Sequence, residues 1–92
     1  DILEHIAKKY NFYDEYIQKY GDEKLLDLAK EVKAIVDDKS KFAAWSVRDD
    51  IKAELKVNII LKLADYHYPP VTVDEVYKEV LAQAENFRKY AE

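Results

Sequence analysis

Residues 45–70 read WSVRDDIKAELKVNIILKLADYHYPP, and both ends of a helix can be placed within them. Ser46 is a residue type that caps helix N-termini. Asp49, three positions on, suits a first turn whose free N–H groups and macrodipole attract a carboxylate. Pro69 and Pro70 lock φ, remove backbone donors and push Tyr68 out of the α region, so the helix ends by about Tyr66. Between those ends Val47, Ile51, Leu55 and Ile59 line one face, while Val57, Ile60, Leu61 and Leu63 widen the apolar surface in the second half. The pattern predicts a central helix, the most buried of the fold.

Working outward, Ile2, Leu3, Ile6, Tyr10, Tyr13, Ile17 and Tyr20 fall on an approximately helical stripe. Asn11 and Phe12 offer a break in it, so one long helix and two short ones both fit. Gly21 ends that segment and Asp22 is placed to cap the next, in which Leu25, Leu28, Ala29, Val32, Ile35 and Val36 recur at three- and four-residue spacing. Residues 37–41 read as a polar connector, after which Phe42, Ala43, Ala44 and Trp45 return the chain toward the core. Thr72 and Glu75 form a capping-box pair for a last helix with the stripe Val73, Val76, Tyr77, Val80, Leu81, Ala84 and Phe87. The expectation is an all-α fold: residues 1–92 as a single small bundle of four to five helices.

Composition agrees. Ninety-two residues with one Gly and two Pro leave little material for hairpins, and a chain of this size buries roughly 60–65% of its unfolded surface in one core. The absence of cysteine removes disulfides and thiolate zinc sites and is compatible with a reducing cytoplasm, the expected location. Apolar runs such as Ile59 to Leu61 fall far short of the ~20 residues that cross a bilayer, so no membrane span is expected. The chain opens on Asp1 rather than Met and helical periodicity starts at once, which suggests a domain cut from a longer polypeptide. A net charge of −4 repels nucleic acid as a whole, so any contact with a DNA backbone has to be local and weak.

Catalytic, cofactor-binding and metal-binding patterns are missing from the sequence. A lone glycine cannot supply the repeated close backbone approaches that cradle phosphates. Neither His5 nor His67 has a second metal ligand at a helical spacing. Asp49 with Asp50 resembles an acid pair, but first-turn acids are favoured by the helix dipole and need no catalytic explanation. Arg48, Lys52 and Lys56, at i, i+4, i+8, form a cationic strip that suits phosphates or an acidic partner; alternatively each pairs with Asp49, Asp50 or Glu54, or stays solvated. A cation in a first turn opposes the dipole, which suggests that Arg48 is held by a specific acid or carbonyl. Trp45, Tyr66 and Tyr68 suit either a stacking platform or core anchoring around the Pro69–Pro70 reversal. Tyr13, Tyr16 and Tyr20, with Tyr10, give the N-terminal helix a polar-tipped aromatic face, a candidate contact with another domain or subunit.

The segment quoted above resembles the C-terminal helical region of the restriction (R) subunit of type I restriction-modification enzymes. The resemblance lies in Trp45, Ser46 and Arg48, then Lys52, Ala53, Leu55 and Lys56, then Tyr66, Tyr68, Pro69 and Pro70. It extends more loosely through GDEKLLDLAKEV, from Gly21, and VLAQAENF, from Val80. Glu54 and Asp65 stand where that family is often basic, which lowers the expectation of DNA contact by this helix. The resemblance implies a parent that is a type I site-specific deoxyribonuclease with ATP-dependent translocase activity. ATP and magnesium would belong to its other domains, and this fragment would be non-catalytic, with no cofactor. Its implied role is attachment of the nuclease and motor to the modification and specificity subunits. The alternatives are a DNA-backbone contact supporting translocation and an internal brace against other domains of the R subunit.

Overall fold

Asn11 divides the N-terminal stripe into two helices, α1 (Ile2–Lys9) and α2 (Tyr13–Tyr20). Asn11 sits at φ 62°, the Phe12 N–H donates to the Ala7 carbonyl at 2.9 Å, and the Asn11 N–H donates to that of Lys8 at 3.2 Å. This paired closure is a Schellman stop, and asparagine enters the left-handed region more readily than most residues. The computed structural model describes the backbone of residues 2–42 and 44–91, and side chains among them as far as Glu85. Within that range the chain continues as α3 (Asp22–Ser40), α4 (Asp49–Asp65) and α5 (Val73–Ala91), with single 3-10 turns at Trp45–Val47 and Pro70–Thr72 on either side of α4. No strand occurs among the described residues.

The stop of α4 repeats that of α1. His67 takes φ 59°, the Tyr68 N–H reaches the Leu63 carbonyl at 2.9 Å, and the His67 N–H reaches that of Ala64 at 3.1 Å. Pro69 and Pro70 follow at once, as the sequence predicts, and Pro70 opens the second 3-10 turn.

Several expected helix ends are displaced. Ser46 lies inside the first 3-10 turn, and the N-cap position of α4 is Arg48, an extended residue whose carbonyl accepts the Lys52 N–H at 3.1 Å. Gly21, at φ 88°, occupies the junction of α2 and α3, so Asp22 is the first helical residue rather than the cap. The polar residues 37–40 are helical, because neither Gly nor Pro interrupts them and Lys33 pairs with Asp37 one turn on at 2.9 Å. The Thr72–Glu75 capping box gives way to two other bonds. The Thr72 hydroxyl donates to the Pro69 carbonyl at 2.8 Å, and Glu75 binds Lys9 of α1 at 2.6 Å.

The helices run antiparallel in pairs. Lys39 meets Glu54 at 3.1 Å and Lys62 meets Glu31 at 3.7 Å, which sets α3 against α4. Lys9 with Glu75 sets the end of α1 against the start of α5, and the Tyr77 hydroxyl, donating to the Lys52 carbonyl at 3.4 Å, ties α5 to α4. Between them lie Leu3 and Ile6 of α1, Leu25, Leu28 and Val32 of α3, Ile51, Leu55, Ile59 and Leu63 of α4, and Val76 and Val80 of α5. Trp45 enters the same core from the connector, 1% exposed. Phe87 of the predicted α5 stripe lies outside the described side chains.

Candidate interaction surface

Arg48 and Lys56 of the cationic strip are drawn into the bundle's own ion pairs. Arg48 clamps the Asp50 carboxylate through Nε at 3.2 Å and Nη2 at 2.7 Å, and this contact holds the Asp50 carboxyl below its ordinary range. An acid of the same bundle therefore holds Arg48 where the helix dipole opposes it. Lys56 Nζ lies 3.4 Å from Asp74 of α5 and 5.5 Å from the centre of the Tyr77 ring. Lys56 and the Lys52 backbone carbonyl thus lie along the seam between α4 and α5, and Asp49 stands in the first turn of α4.

The tyrosines do not share one outward face. Tyr16 is buried, and its hydroxyl donates to the Tyr66 carbonyl at 2.6 Å. Burial pushes its pKa up to about 12. Tyr20 stacks on His67, ring centres 5.3 Å apart and planes 8° from parallel. Tyr13 is half-buried with Lys8 over its ring at 4.9 Å. Tyr68 is buried, donates to the Leu3 carbonyl at 2.8 Å, and receives the Phe12 ring edge-on at 5.2 Å. The residues just past the two Schellman stops, Phe12 and Tyr68, therefore meet. Trp45 and Tyr68 are buried in the core, and Tyr66 is packed against it.

Single apolar side chains such as Leu26, Val47 and Val71 are exposed, and on α4 exposed apolar residues are grouped. Ile51, Leu55, Ile59 and Leu63 go inward. Val57, Ile60 and Leu61, expected to widen the buried surface, are 53%, 37% and 59% exposed, and Ala53 and Ala64 beside them are exposed as well. Alpha-helical geometry explains the difference: α3 and α5 lie on the sides where Lys62 and Lys56 point, and among the described residues Val57, Ile60 and Leu61 on the opposite side are left exposed. A signal for this was present in the sequence, since α4 is apolar all round in its second half and a bundle this small cannot bury a helix on every side.

Among the described residues no three His, Asp or Glu side chains converge on a possible metal position, and no helix is long and apolar enough to cross a membrane. A groove of about 430 Å³ between α1, α3 and α5 is lined mainly by Ile2, Val32, Val36, Val80 and Ala84, with the mutually paired Lys33 and Asp37 at its rim.

Residues 8–90 match the profile of a family described as type I restriction enzyme HindI endonuclease subunit-like, C-terminal. The chain belongs to that family. No curated protein and no solved structure matches it. As a C-terminal domain of a type I restriction enzyme subunit, it is all-α, with five helices among the described residues, and its core takes in Trp45 and Tyr68 of the positions that carry the resemblance, with Tyr66 packed against it.

Proposed function

We propose that this domain attaches the endonuclease subunit of a type I restriction enzyme to its modification and specificity subunits, within a complex that cuts foreign DNA. On this reading it takes no part in the chemistry, holds no cofactor, and leaves nuclease and ATP-driven translocation to other domains of the parent chain. One observation carries the reading: the outward side of α4 presents Val57, Ile60 and Leu61 to solvent, with the fold already closed behind them. Exposed large apolar side chains grouped on one helix face mark a surface made for another protein. The DNA-backbone alternative is disfavoured by the acidic net charge and by the pairing of Arg48 and Lys56 with carboxylates.

The test is co-elution of the domain with the purified modification-specificity core by size exclusion, with and without a DNA duplex. Docking predicts a complex that survives moderate salt without DNA and is lost on Leu61→Glu. A complex that forms only with DNA at low salt, and is lost on replacing Arg48, Lys52 and Lys56 by Ala, would replace docking with backbone contact. No complex under any condition would leave the domain as an internal brace.

A further inference from the structure

We infer that the outward face of α4 seats a cationic amphipathic helix of a partner protein, an inference that rests on the assembly reading above. Val57, Ile60, Leu61 and Ala64 are exposed at i, i+3, i+4 and i+7, the spacing by which one helix lies along another. The surroundings of this stripe are acidic. Asp65 stands one residue beyond its end, and Asp49 and Asp50 lie in the first turn of α4, two turns before it, with Asp50 clamped by Arg48.

On the α3 flank the ion pairs are lopsided. The Glu54 side chain is 65% exposed where its partner Lys39 is 16%, and that of Glu31 is 49% exposed where Lys62 is 30%. In both pairs the carboxylate is the more exposed partner. Asp27 and Asp38 lie on the α3 face that Glu31 marks, at four- and seven-residue spacing; both are exposed, Asp38 paired with Lys41 at 3.0 Å. On the other side Lys56 is turned to the α5 seam.

An apolar stripe bordered in this way favours a helix whose own stripe is flanked by Lys or Arg, because burying the apolar residues brings opposite charges together around them. A second copy of this chain is a poorer occupant. Antiparallel pairing of two α4 faces would set Asp49 and Asp50 of one against Asp65 of the other, like charges whose juxtaposition is costly.

The test is fluorescence anisotropy with a labelled helix-forming peptide of about 18 residues, five turns, carrying Leu at the stripe positions and Lys at the flanks, against a twin with Glu for Lys. The wild-type domain should bind the Lys peptide at least about tenfold tighter than the Glu peptide near 0.1 M salt. Leu61→Glu and Val57→Glu, at exposed positions that leave the melting curve unchanged, should each lose about tenfold or more. These variants separate docking from bare attraction, since an added carboxylate strengthens a purely electrostatic contact. Tighter or unchanged binding by them, equal binding of the two peptides, or a wild-type dimer in sedimentation that Leu61→Glu dissolves would each overturn the cationic helix. Capture by the modification-specificity core that Leu61→Glu abolishes, with no peptide binding, would overturn it and leave the assembly reading standing. Failure of the core to capture the wild-type domain would count against the assembly reading whatever the peptides do.

Discussion

The two sides of α4 use the same kinds of residue for opposite ends. Ile51, Leu55, Ile59 and Leu63 are at most 5% exposed and are enclosed by three other helices and Trp45. Val57, Ile60 and Leu61, as apolar as these, meet solvent. Beyond the helix, the segment from Tyr66 to Tyr68 resembles the inward side: nearly every aromatic group there is used, with Phe12 and Tyr16 around Tyr68 and Tyr20 on His67. Folding consumes the end of α4 and its inner stripe. The outer stripe is left over, and a residue that folding leaves apolar and exposed is available for assembly.

Truncation on the two sides breaks or upholds this contrast most directly. Leu55→Ala should cost about 2–5 kcal/mol, from lost burial and the cavity left behind. Leu61→Ala should change stability by no more than about 0.5 kcal/mol, because the side chain already meets water. Urea denaturation measures both, and a similar loss for the two would mean that the outer stripe is part of the core after all.

Tyr68→Phe comes next in size. It keeps the ring against Phe12 and removes the bond to the Leu3 carbonyl, for an expected loss of about 1 kcal/mol. The same tyrosines make the fold sensitive to base. Burial raises the pKa of Tyr16 to about 12 and raises that of Tyr68 as well, against an ordinary value of 10.0. The unfolded chain then releases these protons first, binds fewer of them than the folded state, and gains relative stability as pH rises. Stability should be whole below pH 10 and fall as pH climbs toward 12, followed by circular dichroism. The fall should be shallower in Tyr68→Phe, and an identical slope in both proteins would mean that Tyr68 does not contribute.

The helices were legible because their signals are local. Pro69 and Pro70 stop α4 by covalent geometry, and Asn11 is one of the few residue types that accept the left-handed turn between α1 and α2. The caps were less legible. Ser46 and Thr72 have the right chemistry for an N-cap, yet each falls in a 3-10 turn whose position depends on tertiary packing of Trp45 and of the Pro69–Pro70 reversal. The interaction surface was hardest to see, because sequence shows that a residue is apolar and not which neighbours are left to cover it. Val57, Ile60 and Leu61 therefore read as core. Tyr16 failed in the other direction: a polar-tipped ring suited to an interface turned inward, because the Tyr66 carbonyl next to the α4 stop gives its hydroxyl a partner.

The smallest effect probes the edge between the consumed and spare parts of the molecule, where His67 is exposed yet stacked on Tyr20. Asparagine is at least as good as histidine at a left-handed helix stop, so His67→Asn should be neutral or slightly favourable if backbone conformation alone decides. If the stack holds the turn, the substitution costs about 0.5 kcal/mol, and the cost should vanish when Tyr20 is already Leu, since the ring it loses is no longer there. A double-mutant cycle over Tyr20 and His67 isolates that coupling. A coupling near zero would place His67 with Leu61 among the groups that folding leaves unused. A favourable one would extend the aromatic cluster to the protein's surface and leave the middle of α4 as a place where apolar side chains are grouped and spare.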